Sequence, residues 1–537
     1  NMDLTGILSN EGTLRLEGGQ NITIGTMDIN SGIVVYDGVG STLASDMSGY
    51  YDLQISGLGT FSSVDGQALD INQDLTISAS NELDIQDENM DLTGILSNEG
   101  TLRLEGVQNI TIGTMDINSG TVVYDGVGST LASDMSGYYD LQISGSGTFG
   151  SVDGQALDIN QDLTITASNE LDIQDENMDL TGTLSNEGTL RLEGVQNITI
   201  GTMDINSGTV VYDGVGSTLA LDMSGYYDLN LSGSGTFSSI DGQALDINQD
   251  LTISASNELD IQDENMDLTG SLSNLGTVRL EGGQSITIGT MDIDSGTVIY
   301  DGTGAVIEAD MSGYYDLQLL GTGTWLTVDG QALDINQDLL ISADNELDIQ
   351  DEDLDIAGLI SNEGALRLEG LQGITVSGSM DLDSGTIIYD GAGITLRSDF
   401  DVYYDLTIDG SGTFSSVDGQ LLEINQNLTI TANNELDIQD ENLELTGTLS
   451  NEGTLRLEGG QNITIGAMDA DSGTVIYDGA GTTIKADMIG YYDLQLSGTG
   501  TWLTVDGQGL DINQDLLISA SNELDIQNES MDLTGTL

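Results

Sequence analysis

The chain has 537 residues, and its 90 Asp and Glu against 8 Lys and Arg give a formal net charge of −82. Cysteine, histidine and proline are absent, which argues against a disulfide scaffold or a thiol enzyme. The acidic surface argues against nucleic acid as a partner, because nucleic acid carries charge of the same sign, and the lack of a long apolar run argues against membrane insertion.

Short triplets of alternating apolar and polar residues run along the chain and predict β-strands with two side chains inward and one outward. Clusters of Gly, Asn, Ser and Asp, such as "SNEG" and "DGVGS", separate the triplets and predict turns. In chain order, the triplets of one stretch are Leu69/Ile71, Leu75/Ile77, Leu83/Ile85, Met90/Leu92, Leu102/Leu104, Ile110/Ile112, Met115/Ile117 and Leu141/Ile143. Less regular strands are predicted at 122–124, 130–132 and 148–152.

The whole pattern repeats with a period of 88 residues, stretched once to 89. The repeats are predicted as 1–88, 89–176, 177–264, 265–352, 353–441 and 442–529, with the start of a seventh at 530–537. Because the chain starts and stops inside a repeat, we expect it to join further repeats of a longer chain, or to associate with other copies of itself end to end or laterally.

Eleven or twelve strands per repeat, at three strands per coil, predict about four coils of about 22 residues each. The predicted fold class is therefore all-β, a parallel β-solenoid in which each coil covers the strand edges of its neighbours. With coils about 4.8 Å apart, roughly 24 coils would make a rod of roughly 115 Å. The net charge then amounts to about one charge per 1.4 Å, denser than duplex DNA, so cations are the predicted partners.

The motif "LDINQDL" places Asp70, Asn72 and Asp74 at alternate positions on one outward face of an extended segment. Calcium takes six to eight oxygen ligands, and this D-x-N-x-D spacing is typical of the start of a calcium loop. The glycine and glutamate that complete an EF-hand are missing, so a solvated acidic strand face is the alternative interpretation. The motif recurs at Asp158, Asn160 and Asp162; at Asp246, Asn248 and Asp250; at Asp334, Asn336 and Asp338; at Asp511, Asn513 and Asp515; and, weakened, at Glu423, Asn425 and Asn427.

A second candidate calcium site lies in "NELDIQDENMDL", residues 81–92, where Asp84, Asp87, Glu88 and Asp91 could converge from a strand and its turn. The same four positions recur as Asp172, Asp175, Glu176 and Asp179. A third candidate is Asp292 and Asp294 with the turn at Gly296. For both, a solvated turn is the alternative.

Six of the eight cations stand at one repeat position, in segments such as "LRLEG". Arg103 and Glu105 share an outward face, which predicts a local ion pair worth about 0–1 kcal/mol. A bridge to an acidic neighbouring subunit is the alternative.

The segment "LSNEGTLRLEG" (96–106) resembles the L-x-N-x-G-x-L-x-L repeats of haemagglutinin-type bacterial adhesins. Residues 120–149, "GTVVYDGVGSTL…GYYDLQISGSGTF", are similar to repeats of large secreted β-strand-repeat proteins. The resemblance covers the whole array and implies a right-handed parallel β-helix displayed on a bacterial surface.

We therefore expect an extracellular structural rod, a cell-surface stalk, fibre or filament, or alternatively the shaft of an adhesin whose binding tip lies outside this segment. Right-handed β-helices also include pectate-lyase-type enzymes, but catalysis needs one special, non-repeated place. The sequence offers none, since any carboxylate pair recurs in most repeats. The chain is not expected to be an enzyme.

Overall fold

The computed structural model describes residues 2–17, 22–45, 47, 49–106, 108–135, 137–194, 196–220, 223, 225–307, 311, 313–370, 373–381, 383–400, 402–485, 488 and 490–537. Two compact units are present, Asn1–Thr277 with Ser285–Asp292, and Val278–Gln284 with Ile293–Leu537. Each unit consists of short strands stacked in parallel register. The described residues form no helix, so none of them forms a helix that could span a membrane. The predicted parallel β-solenoid is confirmed, with about 24 turns.

In the part of the chain that the structure describes, each of the first four repeats has ten strands. The strands of repeat 1 are β1 (Met2–Leu8), β2 (Thr13–Leu16), β3 (Ile22–Met27), β4 (Ile33–Tyr36), β5 (Gly49–Tyr50), β6 (Asp52–Ile55), β7 (Gly59–Ser62), β8 (Leu69–Ile71), β9 (Leu75–Ile77) and β10 (Asn81–Asp84). Repeat 2 has β11 (Met90–Asn98), β12 (Thr101–Leu104), β13 (Ile110–Met115), β14 (Thr121–Tyr124), β15 (Gly137–Tyr138), β16 (Asp140–Ile143), β17 (Gly147–Gly150), β18 (Leu157–Ile159), β19 (Leu163–Ile165) and β20 (Asn169–Asp172). Repeat 3 has β21 (Met178–Asn186), β22 (Thr189–Leu192), β23 (Ile198–Met203), β24 (Thr209–Tyr212), β25 (Gly225–Tyr226), β26 (Asp228–Leu231), β27 (Gly235–Ser238), β28 (Leu245–Ile247), β29 (Leu251–Ile253) and β30 (Asn257–Asp260). Repeat 4 has β31 (Met266–Asn274), β32 (Thr277–Leu280), β33 (Ile286–Met291), β34 (Thr297–Tyr300), β35 (Gly313–Tyr314), β36 (Asp316–Leu319), β37 (Gly323–Leu326), β38 (Leu333–Ile335), β39 (Leu339–Ile341) and β40 (Asn345–Asp348).

The long first strand of the repeat is divided in two in repeat 5. Repeat 5 has β41 (Leu354–Ile356), β42 (Ile360–Asn362), β43 (Ala365–Leu368), β44 (Ile374–Val376), β45 (Thr386–Tyr389), β46 (Val402–Tyr403), β47 (Asp405–Ile408), β48 (Gly412–Ser415), β49 (Leu422–Ile424), β50 (Leu428–Ile430) and β51 (Asn434–Asp437). Repeat 6 has β52 (Leu443–Asn451), β53 (Thr454–Leu457), β54 (Ile463–Met468), β55 (Thr474–Tyr477), β56 (Gly490–Tyr491), β57 (Asp493–Leu496), β58 (Gly500–Leu503), β59 (Leu510–Ile512), β60 (Leu516–Ile518) and β61 (Asn522–Asp525), and β62 (Met531–Leu533) follows.

The core is a set of apolar ladders that run from coil to coil. In repeat 2, Leu102 is aligned with Val122, Val122 with Leu141, and Leu141 with Leu163, and all four are buried. Because successive side chains of a strand point to opposite faces, the side chains directly before and after each of these residues point away from this ladder. Burial of such ladders stabilises the fold by about 25 cal/mol per Å² of apolar surface.

The strands differ from the prediction in two places. The predicted triplets Ile110/Ile112 and Met115/Ile117 overlap a single strand, β13. Residues 130–132 form no regular strand, and Thr130 makes only an isolated bridge to Gly150. The register of β11 against β13 also shifts between Leu92 and Ile95. Because residues 130–132 form no continuous ladder with the neighbouring coil, this side of the coil is irregular.

A buried tyrosine pair holds the irregular segment 125–135 against the core. The Tyr124 hydroxyl accepts a hydrogen bond from the Ala132 main-chain nitrogen (2.9 Å) and lies 3.2 Å from the Tyr138 hydroxyl. Its ring meets Phe149 edge-on, with centroids 6.1 Å apart. Burial raises the pKa of Tyr124. The two buried tyrosine hydroxyls are therefore paired with each other, as buried hydroxyls require.

The side-chain oxygen of one asparagine per repeat has a hydrogen-bond partner only where the neighbouring aromatic residue is tryptophan. In repeat 4, Trp325 Nε1 donates to Asn345 Oδ1 at 2.9 Å. In repeat 2 the aromatic residue is Phe149, and Oδ1 of the buried Asn169 has no hydrogen-bond partner. An unpaired buried acceptor costs about 1–3 kcal/mol.

We expect Trp325→Phe to lower the free energy of unfolding by about 1–3 kcal/mol, because it leaves Asn345 Oδ1 unpaired. The reverse change, Phe149→Trp, is the matched variant and is expected to add about 1 kcal/mol, because an indole N–H can then donate to Asn169. Urea unfolding measures both. Phe149→Tyr is expected not to stabilise the fold. That result would exclude ring size alone as the cause of the two opposite effects.

Candidate metal centre

Two stacked turns bring three carboxylates together in repeat 2. Strand β17 pairs in parallel with β20, so the turn after β17, which contains Asp153, lies beside the turn after β20, which contains Asp175 and Glu176. One carboxylate oxygen from each residue lies within 4.8 Å of the other two. Both Asp are exposed and Glu176 is half-buried. Carboxylate oxygens at this spacing suit a hard divalent cation.

The backbone of these turns fixes the cluster. The Gly154 main-chain nitrogen donates to Glu176 Oε1, which orients this carboxylate toward the neighbouring turn. Gly154 has φ +77° and Gln174 has φ 53°, both in the left-handed region. Only glycine adopts that region without strain, so the Gly of the Asp-Gly pair "DG" suits the first turn.

The cluster recurs once per repeat in five repeats. Its members are Asp65, Asp87 and Glu88; Asp153, Asp175 and Glu176; Asp241, Asp263 and Glu264; Asp329, Asp351 and Glu352; and Asp418, Asp440 and Glu441. In repeat 6 the middle position is Asn528, although Gly507 N still donates to Glu529 Oε1 at 2.8 Å. The turn geometry therefore persists without the middle carboxylate. These repeated clusters could bind a metal ion.

The members of the predicted "NELDIQDENMDL" site separate in the structure. Asp87 and Glu88 lie in the cluster, but Asp84 is aligned with Arg103 of the next coil, and its Oδ1 accepts from Gln86 N at 3.0 Å. Burial is the largest cause that raises the pKa of Asp84. Asp91 is aligned instead with Asp70 of the preceding coil.

The same separation holds in repeat 2. Asp175 and Glu176 belong to the cluster, Asp172 is aligned with Arg191, and Asp179 is aligned with Asp158. Acidic residues thus face each other across adjacent coils at a second place. In repeat 3, burial first and the Asp267 carboxylate second raise the pKa of Asp246.

The structure gives two members of the "LDINQDL" triplet bonds within the fold. Asn72 Nδ2 donates to Ile29 O at 2.7 Å, and Asp74 Oδ1 accepts from Ile95 N at 2.9 Å. The asparagines at 160, 248, 336 and 513 make the same kind of bond, as do the aspartates at 162, 250, 338 and 515. In the weakened copy, Asn427 Oδ1 accepts from Thr448 N at 3.3 Å. Calcium binding by these triplets stays a prediction.

The third candidate also stays a prediction. Asp292 donates its main-chain N–H to Leu272 O at 2.9 Å, and Gly296 has φ 78°.

An arginine stands between two acidic residues of adjacent coils. Arg191 Nε and Nη2 donate to the two oxygens of Glu170 at 2.9 and 3.1 Å, and Nη1 donates to Asp213 Oδ2 at 2.8 Å. Arg103 has the corresponding partners Glu82 and Asp125. The predicted pair of Arg103 with Glu105 is therefore replaced by ion pairs with two residues of neighbouring coils.

Several carboxylates lie near this arginine, and one of them belongs to the Asp-Asp-Glu cluster. Burial, then Asp213, Asp172 and Asp175, raise the pKa of Glu193, whereas Arg191, the smallest of these causes, lowers it. Asp175 is itself a member of the repeat 2 cluster. A cation bound at the cluster would therefore relieve repulsion that reaches beyond its three ligands.

The sequence reasoning missed Asp153 and its equivalents, the first residue of each cluster. The signal that could have found them is the distance along the chain. Asp153 precedes Asp175 by 22 residues, one coil, so "VDGQ" and "QDEN" turns lie above one another.

The chain was compared with protein-family models, with curated proteins and with solved structures, and none of the three comparisons found a match.

Proposed function

We propose that this chain is a structural segment of an extracellular stalk, fibre or filament, and that calcium bound at the five Asp-Asp-Glu clusters stiffens it. The observation that supports the proposal is repetition. The same core ladder and the same turn cluster recur in successive repeats, so length increases while the chemistry of each repeat stays the same. Such arrays gain stability from contacts between neighbouring coils.

Calcium fits the cluster better than a transition metal. All three side chains offer carboxylate oxygens, which hard cations prefer, and the clusters contain no nitrogen or sulfur ligand. A large net charge of −82 also raises the local concentration of cations at the surface. Binding that occurs only in the folded state stabilises it by mass action.

We expect calcium to raise the melting temperature above that in sodium chloride of matched ionic strength. The variant that changes Asp87, Asp175, Asp263, Asp351 and Asp440 to Asn, the residue that repeat 6 has at 528, should lose this response. Circular dichroism against temperature, with a chelator control, measures it.

The matched control removes five charges elsewhere, at Asp28, Asp116, Asp204, Asp381 and Asp469, and should keep the calcium response. If both five-site variants lost it equally, calcium would act only by screening, and the cluster sites would be excluded.

The extracellular placement has a separate test. An antibody against the folded chain should label intact cells of the source organism, and brief protease treatment of the cells should remove the label. Labelling only after the cells are opened would contradict this part of the proposal and leave the calcium result unaffected.

A further inference from the structure

Repeat 2 contains a polar cleft beside the irregular segment of its third coil. The cleft has a volume of about 550 Å³ and lies between the start of β13 and residues 129–134. Gln108, Ile110, Ala132 and Asp134 are among the residues that line it. Asp134 is exposed at its rim. The cleft is apart from the acidic cluster at Asp153.

Main-chain carbonyl oxygens give this cleft its chemistry. Strand β13 pairs with β11 along one edge, and the described residues supply no paired strand along its other edge. Asn109 O accepts from Met90 N of β11 at 3.0 Å. Because successive carbonyls of a strand point to opposite edges, that of Ile110 points toward the cleft, and Gln108, just before the strand, also lines it. Two carbonyl oxygens and a carboxylate form a site for a cationic donor.

Two later repeats fill the equivalent position with a cation of their own. Arg397 and Lys485 stand where repeat 2 has Ala132, since the main-chain N–H of each donates to the repeat's buried tyrosine, as Ala132 does. Arg397 Nη2 donates to Ile374 O and, at 3.1 Å, to Asp399 Oδ2. Lys485 Nζ donates to Gln461 O.

These acceptors correspond to the residues that line the cleft of repeat 2. Ile374 is equivalent to Ile110, Asp399 to Asp134 and Gln461 to Gln108. The Lys485 side chain is partly buried, and this burial lowers the pKa of its ammonium group. The fold thus presents the same acceptors in repeat 2 while Ala132 leaves the space of the cationic side chain open.

We propose that the repeat 2 cleft binds a guanidinium or primary ammonium group of another molecule. The group takes the place that Arg397 and Lys485 occupy in their own repeats, donating to the carbonyls of Gln108 and Ile110 and pairing with Asp134. Charge-assisted bonds of this kind are stronger than neutral ones. A second copy of the chain is a poor source, because it carries only 8 cations and most of its arginines already bridge acidic residues.

Alanine-methyl spectra of the full chain test the site, with Nα-acetyl-L-arginine amide (arginine amide) as the probe and its uncharged isostere, Nα-acetyl-L-citrulline amide (citrulline amide), as the control. The Ala132 methyl should shift saturably with arginine amide, and at least about tenfold more weakly with citrulline amide. The exposed Ala156 methyl, in the same repeat, should not shift. An Ala132→Gly variant assigns the resonance.

Arg397→Ala supplies a second, independent readout. It opens the equivalent cleft in repeat 5, and its new Ala methyl should respond to arginine amide as Ala132 does. Equal response to citrulline amide, no saturable shift at Ala132, or shifts shared with Ala156 would each overturn the proposal.

A pentapeptide with a central arginine distinguishes the two sources of the cation, a polypeptide and a free organic cation. Affinity about tenfold above that of arginine amide would identify a polypeptide that also uses the open edge of β13. Equal affinity would identify a free organic cation. Both results support the cationic site.

Discussion

Replacing Arg191 by Gln is expected to lower the free energy of unfolding of its repeat by about 3 kcal/mol. Three hydrogen bonds to Glu170 and Asp213 are lost, and both carboxylates keep their positions in adjacent coils. The Arg191 side chain is only 28% exposed, so water replaces the lost partner incompletely. One oxygen of Asp213, Oδ1, already lacks a partner, which adds to the cost of leaving the other unpaired.

Arg15→Gln is the matched control for this prediction. Among the described residues Arg15 bridges only Asp37, and its side chain is 61% exposed, so its removal should cost about 0–1 kcal/mol. Because a repeat array unfolds locally, native-state hydrogen exchange is the appropriate measurement. Amides of β22 in Arg191→Gln should exchange roughly 150-fold faster. A loss no larger than that of Arg15→Gln would show that the coil-spanning bridges contribute little.

The coil ladder could be predicted from the sequence because its signal is local. Leu102 and Leu104 alternate with polar residues inside four residues of chain, and the same alternation recurs in most strands of the array. Neighbouring coils then align, since a one-residue slip would turn each buried residue outward. Neither feature depends on the path between strands. The alternation therefore predicts the fold class even where single predicted strands, such as the one at 130–132, are wrong.

The contacts between coils could not be read in the same way. In an extended strand, residues i and i+2 lie about 6.6 Å apart, whereas neighbouring strands lie about 4.8 Å apart. An outward side chain is therefore closer to the adjacent coil than to its own next neighbour on the face. Arg103 is aligned with Asp84 and Val123 of the adjacent coils. It bonds Glu82 and Asp125 instead, each two positions away from the aligned residue, so spacing along the chain does not give its partners.

The candidate metal centre follows the same rule. The predicted ligand sets took residues close in the chain, but the three carboxylates of each cluster come from turns one coil apart, as Asp65 does with Asp87 and Glu88. The number of residues between the two turns sets which acidic residues meet. Coil length varies along the repeat, so the sequence predicts acidic turns more readily than their partners.

Lowering the pH from 7 to about 5 is expected to raise the melting temperature, because most of the shifted carboxyls have raised pKa values. In the described residues the raised groups are Asp84, Glu105, Asp140, Asp172, Glu193, Asp228, Asp246, Asp316, Asp348, Glu369, Asp437 and Glu458. Those with lowered pKa values are Glu170, Glu435 and Asp515.

The direction follows from where each group binds its proton. A carboxyl with a raised pKa binds a proton more readily in the folded chain, so its contribution to stability is complete below its ordinary value of 4.5 or 3.8 and is lost as the pH rises through the folded value. For Glu105 the causes are burial, then Asp125, Asp84 and Asp87, with Arg103 opposing them. Glu170, held by Arg191, loses its contribution only at pH values below 4.5.

Between about pH 5 and 7 only the carboxyls with raised pKa values change the stability, so the melting temperature should rise as the pH falls. Changing Glu105, Glu193, Glu369 and Glu458 to Gln should raise the melting temperature at pH 7 and flatten its dependence on pH, because repulsion is removed at every pH. The control changes the exposed Glu99, Glu187, Glu363 and Glu452 to Gln, with the same change in net charge. If both variants shifted the pH profile equally, general repulsion across the acidic surface would be the cause. A profile flattened only by the first would assign the effect to the carboxylates crowded around each arginine.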